Sequence, residues 1–234
     1  MPVRTYTNWN RRSSDFEEQI EPLRKYYFIC EGANTETFYF KKLIDLRKDL
    51  GIHPMIDICL WEKTDEHRNI SFARELVNFA NEQKELPDNG FDKEYDRMII
   101  VFDGDIFEEK VAGYEELIKN IEKTDMAAVS NPNFELFLLL HIEGSYEKYI
   151  RENEKSFLMN YDGKYSYAKN ILHKTIGMNT KKNPKIGELA LKIGIAIEQE
   201  KFINQDIHNI KGKVSSNIGF IIDGIIKDNP YITL

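Results

Sequence analysis

Cysteine is nearly absent. Cys30 and Cys59 are the only two in 234 residues, and both fall in apolar stretches that read as strands. No disulfide framework is implied, and both are expected to be reduced core thiols of a cytoplasmic protein. No apolar run approaches the roughly 20 residues that cross a bilayer, so no membrane contact is expected. The opening MPVRTYTNWNRRSS carries Arg4, Arg11 and Arg12 without an apolar stretch after them, which argues against a secretory leader. There is no internal repeat and no low-complexity tract. Basic residues are outnumbered, 32 against 39 acidic, and a net charge of −7 argues against coating nucleic acid by bulk charge.

What is present suits a packed core: 41% apolar and 12% aromatic residues, in a length that makes one large domain or two small ones. The charge is uneven. Residues 160–213 hold ten lysines against five acidic residues, a net +5, which leaves −12 for the rest of the chain. An acidic part that holds cations beside a basic part that holds phosphates is one reading. Two ordinary solvated surfaces is the other.

Residues 1–24 are polar without a period and are expected to form a flexible arm. Residues 26–30, 55–61, 97–102 and 126–130 read as strands. Residues 35–50, 70–84, 111–121 and 134–142 read as the helices between and after them, from apolar residues recurring every third or fourth position. Strand and helix thus alternate four times. This predicts an α/β fold with a largely parallel sheet flanked by helices over residues 25–143. Beyond Gly144 strand signals fade. Helices are expected at 165–172, 185–198 and 214–226, as a C-terminal helical subdomain over 144–234. The isoleucine-rich face at 214–226 serves either as an intramolecular core or as a homodimer interface.

Three of the strands end in polar groups: Glu31, then Asp103 and Asp105, then Asn131. In a parallel sheet these ends share one edge, so carboxylates distant in sequence converge. Converging carboxylates repel unless a cation lies among them, and hard oxygen ligands suit Mg²⁺ or Mn²⁺. Gly104 permits the bend that turns Asp103 and Asp105 to one side. Alone, an Asp-x-Asp more often marks a solvated turn. Here an apolar strand precedes it, and a second strand ends in Glu31-Gly32.

The stretches FICEGANTETFYF, MIIVFDGD and SNPNFELFLLLH resemble, in that order, three blocks of the RloB-like proteins. These are relatives of the abortive-infection AbiLii proteins and carry a Toprim domain. The Toprim pattern is a Glu after the first strand and an Asp-x-Asp after a later one, matched here by Glu31, Asp103 and Asp105. The third block contributes Asn131, Glu135 and His141. The resemblance spans about residues 25–230, strongly to residue 142. It implies a Toprim-like, Rossmann-like fold and a Mg²⁺-dependent nuclease acting on DNA or RNA, tRNA included. It also implies the effector role in a phage-defence system, with an ATPase as partner protein.

On this picture Asp103 and Asp105 hold a metal ion, and Glu31 is either a further ligand or the general acid/base. Glu135 supports a second metal or is a buried structural acceptor. Asn131 caps the helix after Pro132, with a possible second use at the site. His141 is expected to be a satisfied core histidine. Thr35 and Glu36 open a helix whose N-terminus would bind phosphate or be capped in the ordinary way. Lys174, Lys181, Lys182 and Lys185 form a phosphate track or a plain solvated run. Tyr161, Tyr165 and Tyr167 stack on bases or pack in the core. Trp9 has no assigned role.

The chain is too short for the strand-passage domains of a topoisomerase. A haloacid-dehalogenase-type phosphatase would place Thr or Val where Phe107 stands, and an Asp-x-Asp glycosyltransferase has no need of Glu31-Gly32. A non-catalytic Toprim-like module that binds nucleic acid or partners an ATPase is the remaining alternative.

Overall fold

The structure is a computed structural model that describes residues 3–8, 21–64, 67, 70, 72–104, 113–159 and 166–232. Trp9, Asp105, Val111, Tyr161 and Tyr165 lie outside the described residues.

Six strands form one sheet: β1 (Val3–Tyr6), β2 (Arg24–Cys30), β3 (Ile56–Lys63), β4 (Arg97–Asp103), β5 (Met126–Asn131) and β6 (Ser215–Ser216). Their spatial order is β1-β3-β2-β4-β5-β6. The central four are parallel, and β1 and β6 pair antiparallel at the two edges. The helices are α1 (Thr35–Asp45), α2 (Ala73–Lys84), α3 (Tyr114–Ile121), α4 (Phe134–Leu139), α5 (Glu154–Leu158), α6 (Tyr167–Ile176), α7 (Ile193–Glu200) and α8 (Ile218–Lys227). This is a mixed α/β, Rossmann-like architecture. Among the described residues no helix is long and apolar enough to cross a membrane.

The strands β2 and β4 are continuously apolar because helices cover both faces of the sheet. On one face Phe28, Ile99, Val101 and Ala128 pack with α1, α4 and the helices after residue 144. On the other, Ile29, Ile100 and Val129 pack with Leu76, Ala80, Leu117 and Ile118 of α2 and α3.

Three expectations need correction. The segment placed in a flexible arm contains β1. Val3 is buried, Thr7 donates its hydroxyl to Asp57 and the Asn8 amide reaches the Ile44 carbonyl, so the edge of β3 is occupied. The C-terminal helices pack on the α/β unit, in line with the expected C-terminal helical part. Ile186, Ile193, Ile218 and Ile222 belong to the same core cluster as Phe28 and Phe40. The segment 185–198 is not one helix: Pro184–Lys192 is a 3-10 helix, followed by α7. The 3-10 stretch lies against α1 so closely that a Cβ on Gly187 would fall 2.5 Å from the Phe38 carbonyl oxygen. Residues 214–217 are not helical. Ser215 and Ser216 pair with Asn131 and Ser130 as β6, and α8 begins after Asn217. Ile218, Ile221, Ile222 and Ile225 of α8 are buried within the chain, which removes that face as an interface.

Two side chains fasten this C-terminal part to the sheet. The Asn217 side chain brackets β5, its Oδ1 accepting from Val129 N–H (2.8 Å) and its Nδ2 donating to the Ala127 carbonyl (2.8 Å). The Glu200 carboxylate is fully buried and accepts from Ser216 Oγ (2.6 Å), Gly219 N–H (2.9 Å), Phe220 N–H (2.8 Å) and Gln205 Nε2 (3.1 Å). It holds the first turn of α8, and a Cβ on Gly219 would come within 2.8 Å of its Oε2.

Candidate active site

The chain passes from β2 to β3 on one side, then returns to place β4 on the other side of β2. Where the order reverses, the connections after the strands leave in opposite directions and open a crevice at the carboxyl ends. Glu31 follows β2 and Asp103 ends β4, so both stand at this reversal. The Glu31 N–H continues the ladder to the Val101 carbonyl (2.9 Å). Its Oε2 accepts from Asp103 N–H (3.4 Å), and Asp103 Oδ1 accepts from Phe134 N–H at the start of α4 (2.9 Å). Of the three carboxylates expected to converge, Glu31 thus rests on the backbone of Asp103. Asp105 lies outside the described residues.

The Gly32 position is explained by a carboxylate the sequence did not single out for this role. A Cβ there would lie 2.1 Å from Glu36 Oε2, so the Glu36 side chain folds back from α1 over the end of β2. Burial, followed by the charge of Glu135, pushes the Glu36 carboxyl up to about 7, against Lys181 and Lys63 pulling the other way. Lys63 donates to the Glu31 carbonyl (2.6 Å) and to the Ile70 carbonyl (2.7 Å). Burial lowers its ammonium, while Cys30, Glu31 and Glu36 oppose that.

Glu135, in the first turn of α4, accepts from the Thr180 hydroxyl (3.3 Å) and lies 4.0 Å from Lys169 Nζ. Lys169 is lowered first by burial and also by Lys181, while Glu135 raises it. So Glu36, Glu135, Lys169 and Lys181 form one electrostatic cluster beside Glu31. Lys181 joins it from a loop and is exposed, as are Lys174, Lys182 and Lys185.

Asn131 is not a helix cap. It ends β5, and its Nδ2 donates to the carbonyls of Ile210 (3.0 Å) and Lys213 (2.9 Å), tying a distant loop to the sheet end. Gly104 is needed there, because a Cβ would press within 3.0 Å of Asn131 Cβ and 3.1 Å of Ile210 Cδ1. His141 is a satisfied core residue: Nδ1 bonds the Phe137 carbonyl (3.0 Å) and Nε2 bonds the Tyr39 hydroxyl (2.8 Å). Burial lowers its pKa to about 4. Tyr167 packs edge-on against Phe157, a core role.

Among the described residues no three His, Cys, Asp or Glu side chains stand together as a metal site. The donor chemistry nevertheless fits a hard divalent cation. Glu31 and Asp103 supply adjacent carboxylates. Two buried oxygens near Asp103, Ser130 Oγ and Asn133 Oδ1, have no hydrogen-bond partner among the described residues. Sequence reasoning missed Lys63, Lys169, Thr180, Ser130 and Asn133 as parts of this edge. For Glu36 the signal was its place five residues after Glu31, in the first turn of a helix pointing at the site.

The fold and this edge define a Rossmann-like α/β protein with carboxylates gathered at its topological reversal. The family model described as RloB-like protein matches residues 26–225, and the chain belongs to that family. No curated protein and no solved structure matches it.

Proposed function

We propose that this chain is a Toprim-type nuclease, dependent on Mg²⁺ or Mn²⁺, that cleaves phosphodiester bonds of DNA or RNA as the effector of an anti-phage defence system. The observation that carries the reading is the meeting of Glu31 and Asp103 at the carboxyl ends of adjacent parallel strands, with Glu31 Oε2 on the Asp103 amide. Asp103, Asp105 and Glu31 would hold the cation, with Glu135 as the candidate for a second. When bound, such a cation offsets charge on the phosphate oxygens.

The chain's own groups do the rest. Asp103 is fixed by the Phe134 amide, which orients its carboxylate. Lys63 holds the end of β2 against residue 70, so Glu31 is presented on a fixed backbone. Lys181 and Lys169, gathered beside Glu36 and Glu135, supply positive charge for a phosphate backbone. Glu31, whose Oε2 accepts from the Asp103 amide, is the acid/base candidate.

The test is incubation of purified protein with labelled plasmid DNA and total tRNA, in Mg²⁺ or Mn²⁺ and then in EDTA, beside the Asp103→Asn variant. Cleavage that requires metal and disappears in the variant supports the reading and fixes the substrate class. If nothing is cut even with the ATPase partner added, while nucleic acid or the partner still binds, a non-catalytic module replaces it.

A further inference from the structure

Buried oxygens without partners are uncommon in folded chains, since each costs free energy and selection removes those without a use. Two occur close together here. Ser130 is fully buried on β5, in register with Asp103 of β4. Paired positions on neighbouring strands direct their side chains to the same face. Ser130 also accepts Gly104 N–H on its carbonyl (2.8 Å), so it is fixed against the turn that follows Asp103. Its hydroxyl nonetheless has no partner among the described residues. The serine on its other side, Ser216, has given its own hydroxyl to Glu200.

Asn133 is 94% buried by its 6% exposure and occupies the position just before α4. An asparagine there ordinarily caps the helix. This one makes no side-chain cap bond: the Leu136 amide goes to the Asn133 backbone carbonyl (3.0 Å), and the Phe134 amide goes to Asp103. The Asn133 side-chain oxygen is left over. Both residues adjoin Asp103, Ser130 through the strand register and Asn133 as the neighbour of Phe134, whose amide Asp103 accepts.

We propose that Ser130 and Asn133 complete the oxygen shell of the divalent cation held by Asp103. The proposal rests on the metal-dependent reading above. It assigns these two residues to cation binding and leaves the chemistry to Glu31 and the phosphate. Oxygen donors of this kind around a metal's carboxylate commonly contribute about 10-fold or more to affinity.

The test measures Mn²⁺ binding to the full chain by titration calorimetry, and thermal unfolding in EDTA, for the wild type, Ser130→Ala, Asn133→Ala and Asp103→Asn. The expected result is about a 10-fold weaker Mn²⁺ dissociation constant in Ser130→Ala and Asn133→Ala, with the melting temperature in EDTA unchanged or raised. A merely structural role predicts the reverse: a lower melting temperature and unchanged Mn²⁺ affinity. If Asp103→Asn loses Mn²⁺ binding while both alanine variants keep it, the shell assignment is wrong and the metal reading stands. If the wild type binds no Mn²⁺, both fall.

Discussion

Acid should loosen this chain through His141. The imidazole is fully buried, hydrogen-bonded at both nitrogens, and held neutral at about 4 by burial. An unfolded histidine titrates near 6.5. Between those values the unfolded chain takes up a proton that the folded chain refuses. The stabilising contribution is fully present above about pH 6.5 and is lost as pH falls towards 4. At about 1.36 kcal/mol per decade the whole loss is about 3 kcal/mol, of which about 2 kcal/mol has gone by pH 5. Asp57, Asp96 and Glu200 are raised by burial and act in the opposite sense as pH falls, so a single pH curve mixes the two. The assay is therefore urea unfolding of wild type and His141→Gln, at several pH values from 7.5 to 5. The variant should start less stable at neutral pH, and the gap should shrink by about 2 kcal/mol at pH 5. Parallel curves, or a His141 ring that titrates near 6.5 by NMR, would refute the reasoning.

Other perturbations have equally defined outcomes. Glu200→Ala strands Ser216 Oγ and the Gly219 and Phe220 amides. It should cost about 4 kcal/mol, read as a melting temperature lowered by roughly 8–16 °C. Gly32→Ala meets only the end of a flexible side chain, so it should displace the Glu36 carboxylate. Nuclease activity should fall while the melting temperature moves little, and unchanged activity would remove Glu36 from the site. Asp103→Asn keeps an acceptor for the Phe134 amide, whereas Asp103→Ala does not. Both should abolish cleavage, with the alanine variant about 1 kcal/mol less stable by urea unfolding.

The central strands were legible because burial on both faces makes them continuously apolar: MIIVF in β4 and YYFIC in β2 admit little else. The edge strands were not. The four-residue β1 is too short to show alternation, and β6 is two serines whose pairing depends on Asn131, Glu200 and Asn217. The break between the 3-10 stretch and α7 arises from the close fit of Gly187 against α1, which periodicity does not report. Glu31 and Asp103 were legible because strand ends in a parallel sheet share an edge. Lys169 and Thr180 reach Glu135 from over thirty residues away in sequence, so no local pattern marks them. Asn131 was read as a cap because a proline and a helix follow it. The carbonyls that hold it come from residues 79 and 82 positions later.

That last attachment has a consequence for the order of events during synthesis. The first five strands can be translated and collapse around one another while residues 200–217 are still unmade. Until those residues arrive, the outer edge of β5 is bare, Asn131 has no carbonyls to hold, and the turn at Gly104 lacks the Ile210 side chain packed on it. The closing contacts span 88 and 90 residues, so they form late and together. The edge carrying Glu31 and Asp103 is thus completed only after residues 200–217 arrive. For a chain with the proposed activity, an unfinished copy emerging beside messenger RNA and tRNA would be harmless until residues 200–217 had been made.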